Sequence, residues 1–145
     1  MILNFQRLRA DAVCPKRATQ YSAGVDLCAC IDTPITLQPQ EITKIPTGFA
    51  VSPSDKNVAL FIFARSGLAT KYGIALANGV GVVDADYRGE LCVALINQGN
   101  DAFTIENGMR IAQLVAIPIC YPSCNLVSIL DDTQRGTDGF GSTGL

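Results

Sequence analysis

Residues 78–90 read Asn-Gly-Val-Gly-Val-Val-Asp-Ala-Asp-Tyr-Arg-Gly-Glu, and they gather groups that can do chemistry: the carboxylates of Asp84 and Asp86, the Tyr87 ring and the Arg88 guanidinium. A carboxylate is ionised at neutral pH, so it can accept a proton or order the water around a cation. An ordinary charged turn would hold the same residue types, since Asp and Arg favour surfaces. Other stretches carry complementary groups. Arg65, Ser66 and Gly67 open a predicted helix, where free backbone N–H groups favour a phosphate. Residues 135–145, Arg-Gly-Thr-Asp-Gly-Phe-Gly-Ser-Thr-Gly-Leu, set Arg135, Ser142 and Thr143 around a single ring, Phe140, a combination able to clamp an anion and stack on a planar group. Asp26 follows Gly24, which lets backbone approach closely. Gln113 is an amide inside an apolar strand, a position that more often satisfies a core hydrogen bond than meets a ligand. Together these are parts for a phosphate ester or nucleotide.

Short elements must position these groups. Residues 2–8 read as an edge strand, and residues 35–37, 42–45 and 48–51 as short β-branched or apolar strands punctuated by Pro34, Pro39 and Pro46. The continuous apolar run 58–64 reads as a strand buried on both faces. It leads into a helix of one to two turns, with Ser66 as N-cap and Gly73 as C-cap. Residues 80–83 and 91–96 frame the acidic turn as the tip of a β-hairpin. Residues 103–105 and 111–117 meet through Glu106-Asn-Gly108, a strong hairpin signal. Residues 125–130 are a candidate last strand. This rhythm predicts an all-β, jelly-roll-like distorted barrel with one short helix, spanning residues 1–133 as a single domain. Residues 134–145 are expected to form a flexible flap, because their glycines leave a large ordering cost that Phe140 and Leu145 cannot offset.

Composition narrows the options. At 145 residues with 48% hydrophobic and 17% charged content, the chain can bury one sizeable core. A net charge of −2 argues against a general binder of nucleic acid or anionic membrane. The amino-terminal residues lack a signal peptide's apolar centre and no run of 18 apolar residues occurs, so a cytoplasmic location is expected. The six cysteines are read as reduced: the chain is too long and apolar to need staples. A metal site from Cys28, Cys30, Cys120 and Cys124 lacks the usual zinc spacing. Histidine is absent, which removes Ser-His-Asp and Cys-His nucleophiles and leaves proton transfer to Asp, Glu, Lys, Tyr or Cys.

Five stretches, taken in order, resemble the motifs of the trimeric deoxyuridine triphosphatases, or dUTPases. They are Ala-Gly-Val-Asp-Leu at 23–27, Ala-Arg-Ser-Gly-Leu-Ala at 64–69, Asn-Gly-Val-Gly-Val-Val-Asp-Ala-Asp-Tyr-Arg-Gly at 78–89, Gly-Met-Arg-Ile-Ala-Gln-Leu at 108–114 and the Gly-rich tail from Arg135. Ala64 stands where the family usually has Pro, and Met109 where an acidic residue is common. The resemblance implies a homotrimer with sites shared between subunits, and Mg²⁺-dependent hydrolysis of dUTP to dUMP and pyrophosphate. Carried over by position, it makes Asp84 the general base that orients the attacking water and contacts the 3′-hydroxyl. Tyr87 lies beneath the deoxyribose, leaving no room for a 2′-hydroxyl, and Asn78 with nearby backbone reads the uracil edge. Ser66, Gly67 and Gln113 meet phosphate oxygens, with Arg65 in support. Asp26 acts on the metal through water. Arg135, Ser142 and Thr143 clamp the phosphates and Phe140, followed by Gly141, covers the uracil. Two other readings stay open at this point: a deaminase of deoxycytidine triphosphate, which would release ammonia, and a non-catalytic nucleotide sensor, which would be expected to lack Asp84.

Overall fold

A computed structural model of the chain describes residues 1–137 and 139. Among them are eleven strands and one helix: β1 (Leu3–Arg7), β2 (Val25–Cys28), β3 (Ile35–Leu37), β4 (Ile42–Pro46), β5 (Phe49–Pro53), β6 (Val58–Ala64), α1 (Ser66–Tyr72), β7 (Ile74–Leu76), β8 (Gly81–Val83), β9 (Cys92–Asn97), β10 (Phe103–Ile105) and β11 (Arg110–Pro118). The strands group into four small sheets, ordered β1-β5, β10-β3, β2-β11-β6-β8 and β4-β9-β7. The four-stranded sheet carries most of the candidate site. In it β11 runs antiparallel to β6 from Ala112↔Ala64 to Pro118↔Val58, with Gln113 opposite Asp26 of β2 on its other edge. β8 lies on the far side of β6, pairing Leu60↔Val83 and Ile62↔Gly81.

Alternation along these strands turns Leu27, Leu60, Ile62 and Leu114 inward against Leu37, Ile45 and Leu95, forming the main core. Burying each such side chain contributes about 1.5–3 kcal/mol. The result is the expected jelly-roll-like all-β fold, although among the described residues no sheet closes into a barrel. No helix among them is long and apolar enough to cross a membrane.

Several expectations need correction. β6 is not buried on both faces: Val58, Ala59 and Leu60 are, but Phe61 and Phe63 stack 6.3 Å apart and half-exposed on the outer face. β8 and β9 do not form a hairpin around the acidic turn, because β8 belongs to β6 while β9 lies between β4 and β7 in another sheet. Glu106-Asn-Gly108 does turn the chain, with Gly108 at φ 77°, yet β10 pairs with β3 and β11 with β2 and β6. A turn motif records where the chain reverses, whereas strand partners are chosen by core packing. Residues 125–130 form no strand, and Leu126 and Ile129 are 102% and 84% exposed.

The helix forms where predicted, with Leu68 buried beneath it, and ends on Gly73 in the left-handed region, whose N–H donates to the Ala69 carbonyl. Its start is shifted. Arg65, not Ser66, is the N-cap, and no side chain caps the helix; Ser66 is the first helical residue. Arg65 continues the extended backbone of β6, with ψ 128°, so the change of direction falls one residue earlier than hydroxyl preference suggested.

Candidate active site

The site divides into two clusters. The first is the turn after β8, where the Tyr87 N–H donates to the Asp84 carbonyl at 3.1 Å. Arg88 staples the turn by donating to the Ala85 and Tyr87 carbonyls, each at 2.8 Å, so its guanidinium serves backbone. The Tyr87 hydroxyl donates to the Glu90 carbonyl at 3.2 Å, and the ring lies across Gly89, where any Cβ would collide with it. Asp84 and Tyr87 wall one cavity of about 270 Å³, together with Lys44, Ile62, Val83, Glu90, Leu91 and Cys92. Asp84 also lines a second cavity of about 580 Å³ with Lys56, Asp86, Arg88 and Tyr121, so its carboxylate stands on the ridge between them. Tyr121 is tethered there by its hydroxyl, which donates to the Lys56 carbonyl at 2.6 Å. Burial pushes the Cys92 thiol up, which makes it a neutral wall and no thiolate nucleophile.

The second cluster sits where β2, β11 and the end of β6 meet. Register places Phe63, Gln113 and Asp26 side by side across three strands. The Asp26 side chain is 16% exposed, with Oδ2 3.1 Å from an Arg110 terminal nitrogen and Oδ1 3.4 Å from Arg65 Nε. Arg65 also donates to the Arg110 carbonyl at 3.2 Å, which locks the guanidinium across the start of β11. Gln113 Nε2 donates to the Ala64 carbonyl at 3.1 Å, which fixes the amide plane. Ser66 and Gly67 are exposed beside this cluster, with their amides outside the helix's own bonding pattern. Nothing stands within 4 Å of a Cβ built at Gly67, so packing does not require glycine there. A cavity of about 530 Å³ opens beside Asp26, bordered by the cationic Lys16, Arg17 and Arg110.

Among the described residues no three His, Cys, Asp or Glu side chains group to hold a metal ion. Asp26, with both oxygens engaged by arginine, is suited to receive a hydrogen bond from a metal-bound water, and Mg²⁺ ordinarily keeps several waters.

The predicted residues are thus sorted. Asp84 and Tyr87 come together, as do Asp26, Arg65, Ser66, Gly67 and Gln113. Asn78 is exposed in the turn that precedes β8, so that strand separates it from Asp84 and it does not line the Asp84–Tyr87 cavity. Arg135 is exposed; Phe140, Gly141, Ser142 and Thr143 lie outside the described residues. Both departures from the family pattern act through backbone. Ala64 offers its carbonyl to Gln113, and the Met109 carbonyl accepts from the Ala29 N–H at 2.8 Å. Arg110, Glu90 and Lys44 have no role in the sequence-based reading; Arg110 lies inside the 108–114 stretch, but its partner Asp26 is 84 positions away.

A family model described as dUTPase matches residues 10–144. The deoxyuridine 5′-triphosphate nucleotidohydrolase of Desulfitobacterium hafniense is 54% identical over 131 residues, covering 90% of this chain and 87% of that protein. The dUTPase of Staphylococcus bacteriophage 80alpha, solved with dUpNHpp, superposes with a TM-score of 0.88 at 28% identity, covering 99% of each chain. A mutant dUTPase from phage phi11 of S. aureus, described with a coordinated structural Mg(II) ion, shares the fold at 24% identity and a TM-score of 0.80, over 91% of this chain and 100% of that one. Four small antiparallel sheets around one core, with a carboxylate–tyrosine turn and a separate carboxylate–arginine–glutamine cluster, define the class of jelly-roll-like all-β proteins with a divided site. Within that class, the chain belongs to the dUTPase family.

Proposed function

We propose that the chain hydrolyses dUTP to dUMP and pyrophosphate as a homotrimer with Mg²⁺, supplying dUMP for thymidylate synthesis and limiting uracil in DNA. The observation that carries this reading is the turn after β8, which puts a carboxylate and an aromatic ring on one small cavity. Asp84 orients a water and takes its proton as the water oxygen bonds to the α-phosphorus. The bond from that phosphorus to the bridging oxygen breaks, and pyrophosphate leaves. Tyr87 lies beneath the deoxyribose and fills the space a 2′-hydroxyl would need. Asn78 and nearby backbone pair with the uracil edge, so cytosine would leave buried groups unpaired. Ser66, Gln113 and the Gly67 amide meet phosphate oxygens, with Arg65 in support. Arg135, Gly141, Ser142 and Thr143 close over the phosphates and Phe140 over the uracil, as the family resemblance implies.

A magnesium ion, when bound, supplies neutralisation of triphosphate charge, and its water shell would hydrogen-bond to Asp26. Arg65 and Arg110 hold that carboxylate in place for the purpose.

The separation of the clusters supports an assembly with shared sites. Val83 pairs with Leu60, which brings Asp84 level with Ala59, and Gln113 pairs with Phe63, so Asp84 lies four residues along β6 and three strand spacings across from Asp26. At about 3.3 Å per residue and 4.8 Å per spacing that is roughly 20 Å. A general base must reach the phosphorus through one water, or about 6 Å. The base of one chain and the phosphate cluster of another can meet on one nucleotide, whereas those of a single chain stand too far apart. The half-exposed Phe61–Phe63 face offers apolar area for such contact. We place the protein in the cytoplasm, in keeping with its six free cysteines.

The deciding assay offers dUTP, dCTP, dTTP and UTP while following pyrophosphate and ammonia. Pyrophosphate from dUTP alone is expected; ammonia from dCTP would make the chain a deaminase, and nucleotide binding without either product would make it a sensor.

A further inference from the structure

Tyr87 can exclude a 2′-hydroxyl only if its ring is held still, and the bonds that hold it lead out of the turn to the bend between β4 and β5. Its hydroxyl donates to the carbonyl of Glu90. Glu90 is fixed in turn by its own side chain, whose Oε1 accepts the Gly48 N–H at 2.7 Å across 42 positions of sequence. The following residue is gripped from the same segment: the Leu91 N–H donates to the Phe49 carbonyl at 2.7 Å, and the Leu91 carbonyl accepts from both the Thr47 N–H at 3.1 Å and the Thr47 hydroxyl at 2.7 Å.

The anchor itself cannot drift. Gly48 has φ +73°, where a side chain is strained, and a Cβ there would lie 2.5 Å from Ala12 Cβ and 2.9 Å from Cys30 Sγ. Its carbonyl accepts the Leu8 N–H at 2.8 Å, which ties it to the segment after β1. Ala12, Cys30 and Phe49 form a small second core around it. A rigid frame therefore ends in one amide, and that amide is aimed at the Glu90 carboxylate.

We infer that Glu90 is a positioning residue for sugar discrimination: its carboxylate rivets the end of the turn to Gly48 and so holds the Tyr87 ring where a ribose would clash. The inference rests on the reading of Tyr87 as the floor under the deoxyribose. The Leu91 bonds still hold the far side of that peptide, so losing the rivet loosens the Glu90 carbonyl, and with it the Tyr87 hydroxyl and ring, without releasing the turn, and the space denied to a 2′-hydroxyl opens part of the way. Asp84 sits at the other end of the turn, so selectivity should suffer before proton transfer does.

The experiment compares kcat and KM for dUTP and UTP in wild type, Glu90→Ala, Glu90→Gln, Tyr87→Phe and the Ala/Phe double variant, with Tm recorded for each. Glu90→Ala is expected to lower the dUTP:UTP ratio of kcat/KM about tenfold, the scale of one lost hydrogen bond to a charged group. The loss should appear as a raised KM for dUTP and a gain in UTP turnover. Glu90→Gln keeps an acceptor oxygen and should restore most of the ratio. Tyr87→Phe should mimic the loss, and the double variant should add little to it, because both changes cut the same chain of bonds. A folded Glu90→Ala with the wild-type ratio overturns the inference, as does additivity in the double variant. Should Glu90→Ala fail to fold, an unchanged ratio in Tyr87→Phe overturns it instead. A wild type that leaves dUTP intact sinks the functional reading itself, whereas a selective wild type with indifferent variants sinks only the role of Glu90.

Discussion

Asp84 lines two cavities at once and sits at the mouth of a turn whose Tyr87 hydroxyl and Arg88 guanidinium are occupied with backbone. Its removal should therefore separate chemistry from binding. Asp84→Asn preserves shape and hydrogen bonding but cannot take a proton, so kcat is expected to fall by roughly 10²–10⁴ while nucleotide affinity, measured by calorimetry, is largely kept. The cysteines make a different point. Burial raises the thiol pKa of Cys28, Cys30 and Cys92, so less thiolate forms at neutral pH and alkylation slows. Mass spectrometry after brief iodoacetamide treatment of the native protein should find label only among Cys14, Cys120 and Cys124, with the others modified after denaturation. The grouping of Asp84 with Tyr87 on one turn was legible because the two are three positions apart, while their proposed roles came from the order of the five motifs, since an ordinary charged turn holds the same residue types. Arg110 and Glu90 were not legible. Each is defined by a partner far away in the chain, and in isolation each reads as a solvated charge.

At the level of elements, apolar runs and proline punctuation located the strands, while pairing had to come from the core. The acidic turn is flanked by the right two strands, yet β8 and β9 enter different sheets, because Val83 is drawn to Leu60 and Val93 to Ile45. The turn thus spans a gap between sheets and can open onto a cavity on each side. The helix start offers a test with the same logic. Ser66 does not cap α1, so Ser66→Ala should change Tm little, within about 0.5 kcal/mol of stability, where loss of a true cap costs about 1 kcal/mol. Its kcat/KM for dUTP should nonetheless fall, reporting a lost phosphate contact. Residues 125–130 show the limit of pattern reading. An apolar, β-branched stretch looks like a strand from sequence, but Leu126 and Ile129 find no sheet edge within their own chain.

The whole molecule is organised around β6, whose neighbours carry Asp84, the proposed general base, near one end and the Asp26–Arg65–Gln113 cluster, the proposed phosphate site, near the other. Light scattering should return a trimer, and an active monomer would contradict shared sites. Deleting residues 133–145 should leave that trimer folded, since neither hydrophobic core cluster draws on the described residues among them, but dUTP turnover should fall sharply. A fully active truncation would remove the flap from the mechanism.

Distance along β6 also has a genetic consequence. On the shared-site reading, two different impaired chains, one with Asp84→Asn and one with Arg65→Ala, carry their lesions at places that serve different sites in a mixed assembly. Co-refolding them in equal amounts should revive roughly a quarter of the sites, each built from the intact half of either parent, whereas neither mutant alone regains any. Such complementation would mark the functional unit as the assembly, and would make some loss-of-function alleles rescue one another.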